Sequence, residues 1–257
     1  MKSTFLKSIG IISLVCASTT AHATWSVAAL NKKTGTIAVA GASCSYMVYG
    51  IAQVLPGKGV VIVQAASNEN ARAKAGAMLE QEQSLATILE TITDTKSQFE
   101  PAQQQFALLS FNEFDKPLAF TGSEVFGAKA SVSGPGYSIQ ANTMVSDEVV
   151  RKVAANLGDI NWHSDLDMAK AVMRAMNAGA KAGGDSRCKG SNSTTAFISL
   201  HKKDNNPNLP WLTLTIFGME AGTKSAMQSL NPIFDKWLKY EAANPSTRSF
   251  VMPHVLK

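Results

Sequence analysis

Residues 24–42 read TWSVAALNKKTGTIAVAGA, and this stretch decides the fold class. Residues 24–30 and 36–42 are short β-capable runs, and the polar segment between them, residues 31–35, has the composition of a hairpin turn. A hairpin this short leaves no room for the crossover that parallel strands require. The stretch therefore favours an α+β domain with mostly antiparallel strands over a parallel βαβ arrangement.

The rest of the chain continues with strands that are separated by pairs of helices. Apolar runs predict further strands at about residues 60–66, 106–111, 118–121, 137–144, 194–201 and 212–217. Helical periodicity and capping residues predict helices at about residues 69–83, 85–92, 146–157 and 164–181, and a last helix that starts at Pro232 behind an Asn231 cap. Since no repeat or linker divides these elements, residues 24–257 are expected to form one layered domain.

Composition excludes several classes of protein. The chain has 257 residues, 45% hydrophobic and 17% charged, which is typical of a globular protein and not of a collagen, a coiled coil or a disordered tail. Its formal charge of +5 comes from dispersed basic residues, so nucleic-acid binding is not indicated. Beyond the N-terminus no apolar run approaches the roughly 18 residues of a membrane-spanning helix. The mature form is therefore expected to have no membrane segment.

The N-terminus has the organisation of a secretory signal peptide. A basic start and an apolar centre at residues 8–17 precede an Ala-x-Ala cleavage motif at residues 21–23. We therefore predict that residues 1–23 are removed on export. The mature protein, starting at Thr24, is then secreted or periplasmic.

The three cysteines differ in context. Cys16 lies in the predicted signal peptide, where lipoprotein cleavage is the alternative, but Val15 stands where a lipobox prefers a small residue. Cys44 and Cys188 remain in the exported chain, in a compartment where disulfides persist. One disulfide between them is the expectation, and two buried thiols are the alternative.

Cleavage after Ala23 makes Thr24 the first residue of the mature chain. An N-terminal Thr is a complete catalytic unit, because its hydroxyl is a nucleophile and its own α-amine, with a reference pKa of about 7.7–8.0, is a base near physiological pH. The alternative is an accident of processing, since cleavage must leave some residue first.

Several short motifs occur in the order seen in the DUF1028 family. They are TWS at 24–26, VAGAS at 39–43, QA at 64–65 with Asn68, FTG at 120–122, GPGYSIQAN at 134–142 and AGGDSR at 182–187. Through them the chain resembles that family over nearly all of residues 24–217, and the family is itself similar to the N-terminal-nucleophile (Ntn) hydrolases. The resemblance implies a four-layer αββα sandwich with the N-terminal Thr at the end of a central strand. It implies no substrate, although a peptidoglycan-binding domain in some relatives points to cell-wall amides.

Three polar residues of these motifs are candidates for stabilising the oxyanion or for binding the substrate. Attack on an amide carbonyl creates an oxyanion that needs fixed donors, and the side-chain amide of Asn142 suits this task. Gln64 and Asn68, at the end of the third predicted strand, are assigned to substrate binding or to orientation of the amine. The alternatives are a strand-end turn residue at Asn142 and a polar filler at Gln64.

The AGGDSR motif supplies the remaining assignments. Paired glycines allow a close backbone approach, so Asp185 is expected either to hold the α-ammonium of Thr24 or to fix Arg187, which is assigned to substrate binding. The alternative for Asp185 is the cap of a following segment. Cys44 and Cys188 lie beside two of the motifs, so their disulfide would pin the second strand to this loop.

These residues together lead to a functional expectation. His163, His201 and His254 are too scattered for a metal-ligand spacing and are interpreted as surface or strand-end residues, so no metal or cofactor is expected. We expect an exported Ntn-type amidohydrolase that acts on a small amide or peptide-like substrate, including cell-wall amides. The alternative is a non-catalytic exported binding module on the same fold, and a homo-oligomer stays open.

Overall fold

The computed structural model describes residues 24–245 and the backbone of residues 250–255. The predicted signal peptide, residues 1–23, lies outside the described residues. The described strands are β1 (Thr24–Asn31), β2 (Thr36–Ser43), β3 (Ala52–Leu55), β4 (Gly59–Ala65), β5 (Gln104–Ser110), β6 (Leu118–Thr121), β7 (Ala128–Gly134), β8 (Tyr137–Met144), β9 (Thr195–His201), β10 (Leu212–Phe217) and β11 (Phe250–Val255). The described helices are α1 (Glu69–Glu80), α2 (Leu85–Thr93), α3 (Glu148–Leu157), α4 (Asp165–Lys181) and α5 (Ala226–Ala243).

The hairpin of β1 and β2 lies at the centre of the larger sheet. This sheet has seven strands in the order β11-β10-β9-β2-β1-β8-β7. Its described pairings are antiparallel except the one between β10 and β11, which is parallel. The second strand of the hairpin runs back alongside the first, as the short turn requires. The prediction of a mixed α+β fold with mostly antiparallel strands is confirmed.

Alternation along β1 gives the central strand two different faces. Trp25 and Val27 belong to the apolar cluster shared with α3, α4 and α5, whereas Ala28 and Leu30 belong to the cluster that faces the smaller sheet. All four side chains are fully buried, because β1 is covered on both faces. A strand covered in this way places its polar residues inside the protein, where they need hydrogen-bond partners.

The buried residues form three clusters. The first lies between the larger sheet and α3, α4 and α5, and the second lies between the smaller sheet, of order β3-β4-β5-β6, and α1 and α2. The third lies between the two sheets and includes Val39, Val60, Ile62 and Leu109. At about 1.5–3 kcal/mol for each large aliphatic side chain, this third cluster is what holds the sheets face to face.

The start of α5 differs from the sequence prediction. We expected the helix to begin at Pro232 behind an Asn231 cap, and that was wrong, because α5 begins at Ala226 and Pro232 lies inside it. Ser225 and Gln228 form a capping box, in which each side chain bonds the other residue's backbone. The S-x-x-Q spacing was the overlooked signal, and it outweighs the later proline.

Other helix ends in the structure differ from the predicted ones by a few residues, and some strands were not predicted. The first helix ends at Glu80 and not near residue 83, and α3 begins at Glu148 instead of residue 146. Strand β3 has only four residues, and β7 is half-buried with a polar sequence, so neither has a continuous apolar run. Tertiary pairing, not local pattern, makes these segments strands.

His201 ends β9 as expected, but it is buried and not at the surface. Burial lowers the pKa of its imidazole from 6.5 to about 4. The unfolded chain therefore binds the proton more tightly than the folded protein does. The stability that His201 contributes is complete above about pH 6.5 and is lost as the pH falls through 4, and the full loss is about 3 kcal/mol.

Urea denaturation between pH 4 and 7 tests this titration. His201→Gln should flatten the dependence of the unfolding free energy on pH in this window, whereas the exposed control His163→Gln should keep it. An unchanged slope in the His201 variant would mean that the carboxylates, and not this imidazole, set the acid sensitivity.

Candidate functional site

Thr24 begins the central strand and is almost fully buried. It pairs with Ser43 of β2 on one side and with Asn142 of β8 on the other. Because side chains alternate along a strand, Thr24 shares its face with Ser26. The hydroxyl of Ser26 donates to Oε1 of Gln64 in β4 at 2.6 Å, so this face of β1 is directed at the smaller sheet.

Side-chain amides from both sheets meet at Thr24. Nε2 of Gln64 and Nδ2 of Asn142 lie 3.4 and 3.5 Å from the carbonyl oxygen of Thr24. Both nitrogens also donate to Oε1 of Gln105, at 2.9 and 3.1 Å. Nε2 of Gln105 in turn donates to the carbonyl oxygen of Ala141. The structure thus brings Gln64 and Asn142 together, within a buried network that fixes the backbone of Thr24.

Gln105 was missed at the sequence level, although a signal existed. It lies on β5, where Ala107 and Leu109 share its face and pack between the sheets. A glutamine at a core position of an apolar strand needs buried partners. That requirement could have marked it as part of a polar site.

Asp185 lies just beyond the Thr24 end of β1. Its carboxylate accepts from the backbone N–H of Cys44 at 2.6 Å and from the backbone N–H of Arg187 at 2.9 Å, and it forms an ion pair with the guanidinium at 2.8 Å. The residue also bridges Met144 at the end of β8. These contacts show Asp185 fixing Arg187, and the bond from the Arg187 backbone makes Asp185 also the cap of the short 3-10 helix Ser186–Cys188, which was the alternative. Together with the Cys44 bond they connect the ends of β2 and β8.

Cys44 and Cys188 form a disulfide across 144 residues of sequence, with their Cα atoms 5.5 Å apart. The expected bridge is therefore confirmed. It fastens the end of β2 to the loop after α4, next to the Asp185 contacts. Such a bond is compatible with an oxidising compartment.

Asn68 caps helix α1 near the site. Its side chain caps α1 by accepting from the backbone N–H of Ala71 at 3.0 Å and donates to the carbonyl of Phe99 at 3.3 Å. It does not line the cavity next to Thr24. The structure therefore brings Gln64, but not Asn68, to that cavity.

A cavity of about 360 Å³ opens beside Thr24. Strands β1 and β4, the connection after β4 and the start of α1 contribute Thr24, Gln64, Ala65, Ser67, Glu69 and Arg72 to its lining. The loop after β2 contributes Ser45, Met47, Val48, Tyr49, Gly50 and Ile51. The sequence did not reveal Glu69 and Arg72, since they reach the site only because α1 begins at the end of β4.

The backbone is unusual on both sides of the site. Ala65 and Thr143 adopt left-handed conformations, with φ of 67° and 55°, and they directly follow Gln64 and Asn142. Such values are rare for residues other than glycine and cost free energy, particularly for a β-branched residue such as threonine. The surrounding packing must therefore stabilise the path of both strand ends.

Within residues 24–245 no group of three or more His, Cys, Asp or Glu side chains is arranged to hold a metal ion. In the same range none of the helices combines the length and apolar character of a membrane span. The polar side chains in the cavity lining carry the hydroxyls of Thr24, Ser45, Ser67 and Tyr49, the amide of Gln64, the carboxylate of Glu69 and the guanidinium of Arg72.

Comparisons with known proteins agree on the family. A family model described as "Family of unknown function (DUF1028)" matches residues 24–218. A crystal structure of a DUF1028 protein from Silicibacter pomeroyi superposes with a TM-score of 0.66 at 22% sequence identity, covering 83% of this chain and 88% of that chain. No curated protein matched. With most of its length matched by the family model, this chain belongs to the DUF1028 family.

Proposed function

We propose that the protein is an exported amide hydrolase of the Ntn type, in which Thr24 is the nucleophile. Its substrate is a small amide or peptide-like molecule, including amides of the cell wall. The observation that carries this proposal is the position of Thr24, which begins a central strand, lines a cavity and has its carbonyl held by amides from both sheets.

The chemistry needs only groups of Thr24 itself once the chain begins there. The α-amine takes the hydroxyl proton as Oγ1 adds to the amide carbonyl. The resulting oxyanion collapses, the C–N bond breaks, and the proton passes to the leaving amine. Water then hydrolyses the ester on Oγ1 and regenerates the free Thr24. Removal of the signal peptide is therefore the activating step.

The layering of the fold supports an Ntn assignment. Helices α3, α4 and α5 cover one sheet, α1 and α2 cover the other, and the third cluster lies between the sheets. We classify this arrangement as the four-layer αββα sandwich of Ntn hydrolases. In that sandwich the nucleophile stands at the end of a central strand and faces the space between the sheets.

The neighbouring residues act on the oxyanion and on the position of Thr24. Asn142 is our proposed oxyanion donor, because its buried Nδ2 lies 3.5 Å from the carbonyl oxygen of Thr24, and the N–H at that long contact turns to the oxyanion while the other stays on Gln105. Gln64 lines the cavity and orients Thr24. Asp185 acts as a positioning residue, since it fixes Arg187 and the backbone after β2.

The cavity volume restricts the substrate. About 360 Å³ is near the lower end of the range for small-molecule sites, so a long polymer cannot be enclosed there. A fragment of a few residues, or one amide group of a larger molecule, fits this volume.

The first test determines which residue is the N-terminus of the protein recovered from an exporting cell. Intact mass and N-terminal sequencing should give Thr24 as the first residue, and this form should hydrolyse at least one member of a panel of amides, lactams and cell-wall peptides. A start at a lipid-modified Cys16, or a start beyond Thr24, contradicts the proposal. A correct start without turnover favours the non-catalytic binding module.

A further inference from the structure

Arg72 is the cationic side chain among the described residues that line the cavity beside Thr24, and Glu69, three residues earlier on α1, contributes a carboxylate to the same lining. Its one described hydrogen bond runs from Nη1 to Oγ of Ser67 at 3.3 Å, and no described carboxylate forms an ion pair with it. A guanidinium carries five N–H donors in a fixed planar fork. Most of these donors are therefore open to a ligand.

The surroundings of Arg72 favour an anion. The side chain is half-buried, and burial lowers the pKa of the guanidinium while nearby Glu69 raises it. The group stays charged at neutral pH because its ordinary pKa is so high. Because Glu69 lies nearby but forms no described ion pair with Arg72, the desolvation of the guanidinium is only partly offset, and a planar carboxylate that accepts two parallel N–H bonds relieves the remaining cost.

The loop after β2 contributes lining residues of a different character. Met47, Val48, Tyr49 and Ile51 present apolar surface to the same space. A ligand that fills the cavity therefore needs an apolar part for these loop residues and an anionic part for Arg72. Thr24, the proposed nucleophile, lines the same cavity.

We propose that the substrate of this cavity is an amide that carries a carboxylate, which Arg72 binds, and an apolar group, which packs on the loop at residues 47–51. The inference rests on the proposed function and deepens it by naming the substrate class. The carboxylate belongs either to the acyl part or to the amine part of the amide, and both offer Arg72 the same chemistry.

Equilibrium binding tests the carboxylate site without any need for catalysis. Isothermal titration of the Thr24-initiated protein with phenylbutyrate and with phenylbutanamide compares an anion with its neutral counterpart of the same shape. We expect phenylbutyrate to bind at least about tenfold more tightly. Arg72→Gln should remove this preference, Arg72→Lys should keep part of it, and the exposed control Arg151→Gln on α3 should leave it intact.

Two binding outcomes overturn the carboxylate site. One is equal affinity for the acid and the amide in the wild-type protein. The other is an acid preference that survives Arg72→Gln in a variant whose circular dichroism shows the native fold. Because Thr24→Ala keeps Arg72, the preference should persist in that variant, and its loss there would also count against the assignment.

Turnover then separates this inference from the proposed function. Phenylbutanoyl-glycine carries its carboxylate on the amine part and glutaryl-anilide on the acyl part, and each is compared with its amide-capped counterpart. Faster hydrolysis of one acid identifies which part Arg72 binds. Equal rates of hydrolysis for each acid and its amide-capped counterpart overturn the carboxylate site but do not contradict the hydrolase activity. If the protein prefers the acid in an Arg72-dependent way but hydrolyses no amide, the hydrolase activity is overturned and the carboxylate site is supported.

Discussion

Thr24→Ala is expected to lower kcat/KM for any amide that the mature protein hydrolyses by at least about a thousandfold. The substitution removes Oγ1 and leaves the α-amine, so no acyl-enzyme can form. The measurement is turnover on the responsive amide, together with mass spectrometry of the adduct that an electrophilic β-lactone forms with the protein. The alanine variant should form no adduct at residue 24.

Two further forms of the protein test whether the α-amine of Thr24 is the general base. Thr24→Ser keeps both the hydroxyl and the amine and should retain activity and labelling. A chain that keeps Met or a tag before Thr24 has an amide in place of the amine, and an amide nitrogen cannot accept the proton. That form should be inactive although its Thr24 is unchanged.

The controls address folding and site specificity. Thr24 is buried, so the unfolding free energy of each variant must be measured beside its activity. Thr36→Ala removes another buried hydroxyl at the far end of the same hairpin and should leave labelling unaffected. Equal turnover by the blocked and the free forms would show that a distant base, and not the α-amine, takes the proton.

Loss of the disulfide should cost about 2–5 kcal/mol of unfolding free energy. The bond between Cys44 and Cys188 closes a segment of 144 residues, and cross-links over long segments remove much entropy from the unfolded chain. The Cys44→Ala/Cys188→Ala double variant, measured by urea denaturation, should show this loss. Wild-type protein under a strong reductant should show a similar one.

The same variant tests how the site is held together. The bond from the Cys44 backbone to Asp185 does not depend on the sulfur atoms, so it persists without the disulfide. At low temperature, where the double variant is still folded, Thr24 should therefore still form most of the β-lactone adduct that the wild-type protein forms, although the free energy of unfolding is lower. If the oxidised and reduced proteins unfold at the same urea concentration, the bridge contributes nothing to stability.

Local sequence was sufficient where the determining interactions are local. The hairpin of β1 and β2 follows from a turn too short for a crossover, and the start of α2 follows from the Ser84 cap, whose single side chain accepts from the backbone of the next turn. The α5 start was missed for an avoidable reason, since its capping box is local too. The pairing of Cys44 with Cys188 needed only the count of cysteines expected in the mature chain.

The composition of the site was decided by tertiary structure. Gln64 and Gln105 are 41 residues apart, and only the register of β4 on β5 makes them neighbours. Arg72 reaches the cavity because α1 starts where β4 ends next to Thr24. Sheet register and the docking of a helix on a strand end depend on the packing of distant apolar residues, which no local window of sequence contains. The sequence by itself thus determined the fold class and the candidate nucleophile, and only the folded chain decided which side chains surround it.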